Sequence, residues 1–307
     1  MDGAGASHGL VEDITTLNGS PSRKVPYSIG WELDARARAA IGRVPTCGLP
    51  GTGSPRKTGR LADHTAQPEP EGMTTTLVTG ANKGLGFQTA RRLIAVGHTV
   101  YVGSRDAERG RRAAEQLGAR MVVIDVTDDA SVAAAAKTIE AEGGLDVLVN
   151  NAGIEARLAD GGVAGAAEAT ADLMRQVFET NVFGVVRVTH AFLPLLQRSA
   201  APVVVNVSSG LASLTRVSAP GSPAYAYPGV AYPASKTAVN MITVQYAKAF
   251  PGMRINAVEP GYTATDLNRH TGTQTVEEGA EIIVRMAQVG HDGPTGGYFD
   301  AAGAVPW

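Results

Sequence analysis

The chain has 307 residues, 44% hydrophobic and 18% charged, and a formal net charge of −2. That balance excludes a generally basic nucleic-acid binder and a polyacidic tail protein, and the single cysteine, Cys47, excludes an internal disulfide or a cysteine-built zinc site. No apolar run reaches the roughly 18 residues of a membrane span and no charged-then-apolar leader opens the chain, so a soluble, cytoplasmic protein is expected.

Glycine and proline fill 18 of the first 72 positions but 36 of the remaining 235. Residues 1–72 therefore read as a disordered extension, or as an upstream stretch read through from a start at Met73, with one short helix over Trp31–Ile41. From residue 74 the pattern alternates. Apolar, β-rich runs cover Thr75–Thr79, Thr99–Gly103, Met121–Asp125, Leu145–Asn150, Val203–Ser208, Arg254–Val258 and Gly297–Asp300. Helical stretches fall between them at Gly86–Val96, Ala107–Leu117, Ala130–Glu142, Leu173–Gln197, Ser235–Phe250 and Val276–Val289. Continuous apolar strands suit a sheet covered on both faces. The expected fold is α/β: a doubly wound Rossmann arrangement with a seven-stranded, mostly parallel sheet and helices on both faces, formed by residues 73–307.

The first strand runs into Thr79-Gly80-Ala81-Asn82-Lys83-Gly84-Leu85-Gly86. Glycines let this turn approach a pyrophosphate closely, and the next helix offers its N–H groups and positive dipole end. The second strand ends Val102-Gly103-Ser104-Arg105, without the carboxylate that an NAD ribose site places there. A guanidinium can instead hold a 2′-phosphate through two charge-assisted bonds, and Lys83 adds a second positive charge. Together they point to NADP(H).

Tyr232-Pro233-Ala234-Ser235-Lys236 sets a phenol and an ammonium four residues apart, on one helix face. Of the eight tyrosines only Tyr232 has both this spacing and a helix following the fifth strand. A cation about 4 Å from the phenol, at an effective dielectric of about 20, is worth up to roughly 4 kcal/mol and would lower the phenol pKa by about 3. The expectation is an acidified Tyr232 acting as general acid in carbonyl reduction and as base in reverse.

With the spacing T-G-x-x-x-G-x-G and Y-x-x-x-K, residues 74–307 resemble the short-chain dehydrogenase/reductase family. The ending Tyr298-Phe299-Asp300…Val305-Pro306-Trp307 is similar to its carbonyl-reductase-like branch. The resemblance implies further roles. Asp125, with Val126, would contact the adenine, although Asp125 could instead cap the helix near Ser131. Asn151, Ala152 and Gly153 of Asn150-Asn151-Ala152-Gly153 would shape the adenosine side of the cleft. Ser209 of Ser208-Ser209-Gly210 would bond the substrate oxygen, with Ser208 the second choice. Asn181 would hold a water linking Lys236 to solvent, and Lys236 would also bond the nicotinamide ribose. In Pro260-Gly261-Tyr262-Thr263-Ala264-Thr265, the backbone at Thr263 and the side chain of Thr265 would hold the carboxamide.

The substrate wall is expected from Ile154–Gly165, Leu211–Val230 and Tyr262–Thr275, with Leu211, Leu214, Val217, Tyr225, Tyr227 and Leu267 available and Arg157, Arg216 and Arg269 as possible anion contacts. A neutral ketone or aldehyde fits these loops best. A 3-oxoacyl-carrier-protein reductase and a non-catalytic NADPH-binding sensor are the alternatives. The six histidines show no metal-ligand spacing. The 22 residues between Ser209 and Tyr232 leave monomer and homo-oligomer both open.

Overall fold

The computed structural model describes residues 73–158 and 160–307. The extension, the helix over Trp31–Ile41 and Cys47 lie outside the described residues. Strand β1 (Thr75–Thr79) leads to α1 (Gly84–Ala95), β2 (Thr99–Ser104), α2 (Ala107–Leu117), β3 (Arg120–Val123), α3 (Asp129–Ala141) and β4 (Val147–Asn150). Next come α4 (Ala171–Phe178), a π-helical turn (Glu179–Phe183), α5 (Gly184–Leu196), β5 (Val203–Val207), a 3₁₀ turn (Gly210–Ala212) and the short α6 (Leu214–Val217). The chain closes with α7 (Ala231–Ala249), β6 (Arg254–Val258), a 3₁₀ turn (Asp266–Asn268), α8 (Val276–Ala287), β7 (Tyr298–Asp300) and β8 (Gly303–Ala304).

The strands form one sheet in the order β3-β2-β1-β4-β5-β6-β7-β8. All pair in parallel except β8, which folds back antiparallel on β7 through Phe299↔Ala304 and Asp300↔Gly303. The sheet thus has eight strands rather than the expected seven. Two residues carry no readable period, so the pattern of apolar runs stops at β7. The order reverses between β1 and β4, which opens a crevice beyond the carboxyl ends of those strands, where such sheets bind ligands.

The central strands β1 and β5 are buried on both faces, and their alternate residues divide between two cores. On β1, Val78 joins the core on one face and Leu77 the core on the other. On β5, Val203, Val205 and Val207 pack on the first face and Val204 on the second. Each fully buried Val or Leu contributes roughly 1.5–3 kcal/mol. Helix starts follow their caps: the Asp106 side chain accepts from Arg109 N at the start of α2, and Thr275 forms a capping box with Glu278 at α8.

The single helix expected over Leu173–Gln197 is interrupted. One extra residue is accommodated at Glu179–Phe183 as a π turn, and Asn181, fully buried, sits within it. π turns of this kind recur at functional sites because they re-aim one side chain without ending the helix. Among the described residues no helix is long and apolar enough to cross a membrane.

Candidate active site

The glycine loop leaves β1 through Gly80 at φ +64° and enters α1 through Gly84 at φ +56°, left-handed conformations that glycine adopts without strain. A β-carbon on Gly86 would collide with Asn151 Nδ2 and lie 2.6 Å from Gly80 O. The close approach is held from behind. Thr79 Oγ1 accepts the N–H groups of Asn151 and Ala152, each at 3.0 Å, and Asn151 Nδ2 donates to Thr79 O at 2.8 Å. Thr79, Asn151 and Ala152 thereby shape the turn from below, while Asn82 is half-buried and Lys83 exposed. Leu85 packs on the core, and its carbonyl accepts from Thr89 Oγ1 at 2.8 Å. Helix α1 begins at Gly84, two residues before the sequence expectation, so its free N–H groups lie within the glycine loop.

At the end of β2, Ser104 is buried and donates to Asp106 O at 2.9 Å. Arg105 is exposed at the rim. Strand β3 stops at Val123, so Asp125 lies beyond the sheet. Its Oδ1 accepts from Thr127 N at 2.9 Å and Thr127 Oγ1 at 2.7 Å, and its own N–H donates to Ser131 Oγ at 2.9 Å. Burial works against the Asp125 charge, but the Thr127 bonds and the cations Arg105 and Arg187 outweigh it and hold the carboxyl below its usual range. The cap of α3 is Asp128, not Asp125, because Asp128 is the residue whose carboxylate reaches Ser131 N. Val126 is buried beneath α5, and its carbonyl accepts from Arg187 Nη1 at 2.6 Å.

At the carboxyl ends of β4, β5 and β6 the polar side chains converge. Ser209 follows β5, and its hydroxyl lies close enough to the Tyr232 phenol, which rises from the first turn of α7, to favour the ionised form. Its neighbour Ser208 is buried and points elsewhere, donating to Asn240 Oδ1 at 2.6 Å. The structure therefore separates two serines that the sequence presents side by side. Lys236 is 4% exposed, and its Nζ donates to Val207 O at 2.7 Å. A β-carbon on Gly153 would lie 3.5 Å from that Nζ and 3.4 Å from Asn181 Oδ1, so the lysine and the π-turn asparagine flank the same glycine. Asn181 is fully engaged: Oδ1 accepts from Ile154 N at 2.8 Å, and Nδ2 donates to Ile154 O at 2.9 Å and Ser235 Oγ at 3.0 Å.

The electrostatics correct the expected acidification of the phenol. Burial pushes the Tyr232 pKa up, and the carboxylates of Glu155 and Glu259 add to the rise against the Ser209 hydroxyl. Lys236 lies 5.7 Å from the ring centroid with its ammonium committed to the Val207 carbonyl, and burial lowers its own pKa to about 8. The i,i+4 spacing places the two residues on one face, but it does not fix where a four-carbon stem ends.

Pro260-Gly261 turns at Gly261 with φ +80°. Thr263 N donates to Gly261 O at 2.9 Å, Thr263 O accepts from Asn268 Nδ2 at 2.8 Å, and Thr263 is buried. Thr265 Cγ2 approaches the glycine loop, 3.8 Å from where a Gly84 β-carbon would sit. The segment after β6 thus closes over the same crevice.

Two carboxylates in the site have no counterpart among the residues expected from sequence. Glu155, just past Gly153, accepts from the Tyr227 hydroxyl and pairs with Arg157. Glu259 accepts from Gly261 N at 3.1 Å and pairs with Arg216 at 3.4 Å, and Arg216 also reaches Asp300 at 2.8 Å. Burial raises the Glu259 carboxyl against the pull of Arg216. The available signal was an acidic residue in each of two otherwise apolar strand-end motifs, Gly153-Ile154-Glu155 and Val258-Glu259-Pro260. Arg157 and Arg216, considered as anion contacts, are instead matched by these carboxylates. The Arg269 guanidinium packs on Gly161.

Comparison with known proteins agrees with this geometry. A family model described as short chain dehydrogenase matches residues 74–276. The chain is 30% identical over 298 residues to a (+)-neomenthol dehydrogenase of Capsicum annuum, covering 73% of this chain and 94% of that one. Its structure is similar to salutaridine reductase from Papaver somniferum (TM-score 0.64, 30% identity, 74% of this chain and 99% of that chain). It is also similar to an NADPH-bound carbonyl reductase from chicken fatty liver (TM-score 0.66, 26% identity, 76% and 99%). A crevice at the strand-order reversal, a glycine loop whose Gly86 leaves no room for a β-carbon, and a serine–tyrosine–lysine cluster are thus joined to a matching family model, and the chain belongs to the short-chain dehydrogenase family.

Proposed function

We propose that residues 73–307 form the catalytic domain of an NADPH-dependent reductase that converts a neutral ketone or aldehyde to its alcohol, reversibly. The observation that carries this reading is the Ser209–Tyr232 hydroxyl pair, backed by buried Lys236 and Asn181 and facing the glycine loop across the strand-order reversal.

The crevice fits a nicotinamide dinucleotide. Gly80, Gly84 and Gly86 clear its floor, the N–H groups of α1 face a pyrophosphate, and Arg105 with Lys83 supplies cations where a carboxylate would repel a 2′-phosphate. Ser104, Asp125 and Val126 would border the adenine, Asn151 to Gly153 the ribose, and Pro260 to Thr265 the carboxamide. When bound, this cofactor supplies the hydride.

The residues of the chain supply the rest. The Ser209 hydroxyl would bond the carbonyl oxygen and stabilise the charge that develops there. Tyr232, kept protonated by burial and by Glu155 and Glu259, is a proton donor at neutral pH. A developing alkoxide is more basic than a phenolate, so a raised phenol pKa does not block donation. Lys236, lowered to about 8, sits poised to exchange a proton near neutrality, and Asn181 would orient the path to solvent beside it. Matching of Arg157 and Arg216 by carboxylates leaves those wall residues without spare positive charge and favours an uncharged substrate over a phosphorylated or carrier-bound one.

The test is NADPH oxidation against aryl ketones, aliphatic aldehydes, quinones and acetoacetyl thioesters. Tyr232→Phe should lower the best rate by about 10²–10⁴-fold while NADPH still binds. A Tyr232→Phe protein at parental speed, or a parent that binds NADPH but turns over none of the four classes, refutes the reading.

A further inference from the structure

The glycine loop and the segment after β6 are tied together by one charged pair. Lys83 caps α1 in an extended conformation and sends its Nζ 2.5 Å from Asp266 Oδ2. Asp266 opens the 3₁₀ turn that follows Thr265, and its other oxygen lies 2.8 Å from His270 Nε2. The Thr265 methyl lies against Gly84 beside this pair, so the bridge spans the mouth of the phosphate cradle. Among the described residues Asp266 is the acceptor within hydrogen-bond reach of Lys83 Nζ. One of the two cations assigned to a 2′-phosphate is therefore already held by a carboxylate of this chain, while Arg105 forms no ion pair among the described residues.

We propose that Asp266 is a specificity-determining residue that weakens discrimination for NADPH over NADH, by competing with the 2′-phosphate for Lys83. This rests on the NADPH reading above. A phosphate that recruits Lys83 must draw it from Asp266 or tolerate a carboxylate beside it, and both cost affinity. NADH carries no 2′-phosphate and leaves the pair undisturbed. Removing the carboxylate should therefore tighten one dinucleotide and spare the other. That sign is opposite to the one expected if Asp266 only held its loop in place.

The experiment is a fluorescence or calorimetric titration of full-length protein with NADPH and with NADH, without substrate. It compares wild type, Asp266→Asn, Asp266→Ser, Lys83→Met and Lys83→Met/Asp266→Asn, with Arg105→Glu as a control. Both pair members are more than half exposed, so the expected gain is modest: NADPH Kd falls about two- to fivefold in either Asp266 variant, while NADH Kd stays within about 1.5-fold. In the Lys83→Met background most of the gain disappears, and raising the salt tenfold narrows it. Unchanged or weaker NADPH binding in both Asp266 variants, with parental melting temperatures, overturns the proposal alone, provided that wild type prefers NADPH and Arg105→Glu weakens NADPH selectively. If wild type shows no preference and Arg105→Glu affects both dinucleotides equally, the NADPH reading falls and this proposal with it.

Discussion

Replacing Lys236 by Met should stabilise the protein while destroying its activity. The lysine is 4% exposed, and burial drops its pKa from 10.5 to about 8. At 1.36 kcal/mol per tenfold change in proton affinity, that fall weakens the fold by roughly 3 kcal/mol. Its pH dependence follows from the sign. Below pH 8 the lysine is charged in both the folded and unfolded states, so the full cost is present. Between pH 8 and 10.5 the folded state has released the proton and the unfolded state has not, so the cost fades as pH rises. Methionine of similar length carries no such cost, but it leaves the Val207 carbonyl without its donor at 2.7 Å, worth about 1–2 kcal/mol. The net gain near pH 7 is about 1–2 kcal/mol, or roughly 2–8 °C in melting temperature for a domain of this size. Thermal unfolding of cofactor-free wild type and Lys236→Met, followed by circular dichroism from pH 6.5 to 10, reads the difference directly. It should be largest below pH 8 and vanish or reverse toward pH 10, while carbonyl-dependent NADPH oxidation falls at least about 100-fold. A variant less stable than wild type at pH 7, or a difference independent of pH, would show that the ammonium is not held at a cost and would refute the reasoning.

The adjacent serines should separate cleanly. Ser209→Ala is expected to lower kcat/KM about 10²–10³-fold with little change in melting temperature. Ser208→Ala strips Asn240 Oδ1 of its 2.6 Å partner, beside an Asn240 Nδ2 already without one, and should cost about 1–3 kcal/mol of stability with kcat nearly intact. Steady-state kinetics beside thermal melts distinguish the two. At the glycine loop, Gly86→Ala must displace Asn151 or the Gly80 carbonyl. It should destabilise by about 1–3 kcal/mol and weaken NADPH binding more than tenfold, whereas Gly252→Ala, whose β-carbon would meet nothing within 4 Å, should leave both unchanged by calorimetry.

The half-buried carboxylates Glu155 and Glu259 bear on direction as well as on packing. Glu155 and Glu259 both oppose ionisation of Tyr232, and each is balanced by an arginine, Arg157 or Arg216. The Glu155–Tyr227 bond joins segments 72 positions apart, while Arg216 fastens the 210–230 segment to the ends of β6 and β7. The carboxylates of the pairs that fasten the expected substrate wall thus favour the protonated phenol, and their arginine partners offset part of that effect.

Local chemistry in the chain determined most of the framework. Strands β1 and β6 and helix α2 fall where their residues place them, because an apolar run of four to six residues between turn signals can satisfy a sheet buried on both faces and little else. The T-G-x-x-x-G-x-G and Y-x-x-x-K spacings likewise place their residues in a tight turn and along one helix, since glycine in a tight loop and an i,i+4 pair on a helix are local facts. Tertiary structure alone decided the rest. The π turn at Asn181 depends on hydrogen bonds to Ile154 and Ser235, 27 and 54 positions away, and no period within the helix announces them. Where the Lys236 ammonium ends depends on a carbonyl of β5, and which serine meets Tyr232 depends on how the chain leaves that strand. The partners of Lys83, Glu155 and Glu259 depend on loops brought together only when the sheet is assembled. Long charged side chains take their direction from the nearest available counter-charge, and that is a property of the folded surface rather than of sequence spacing.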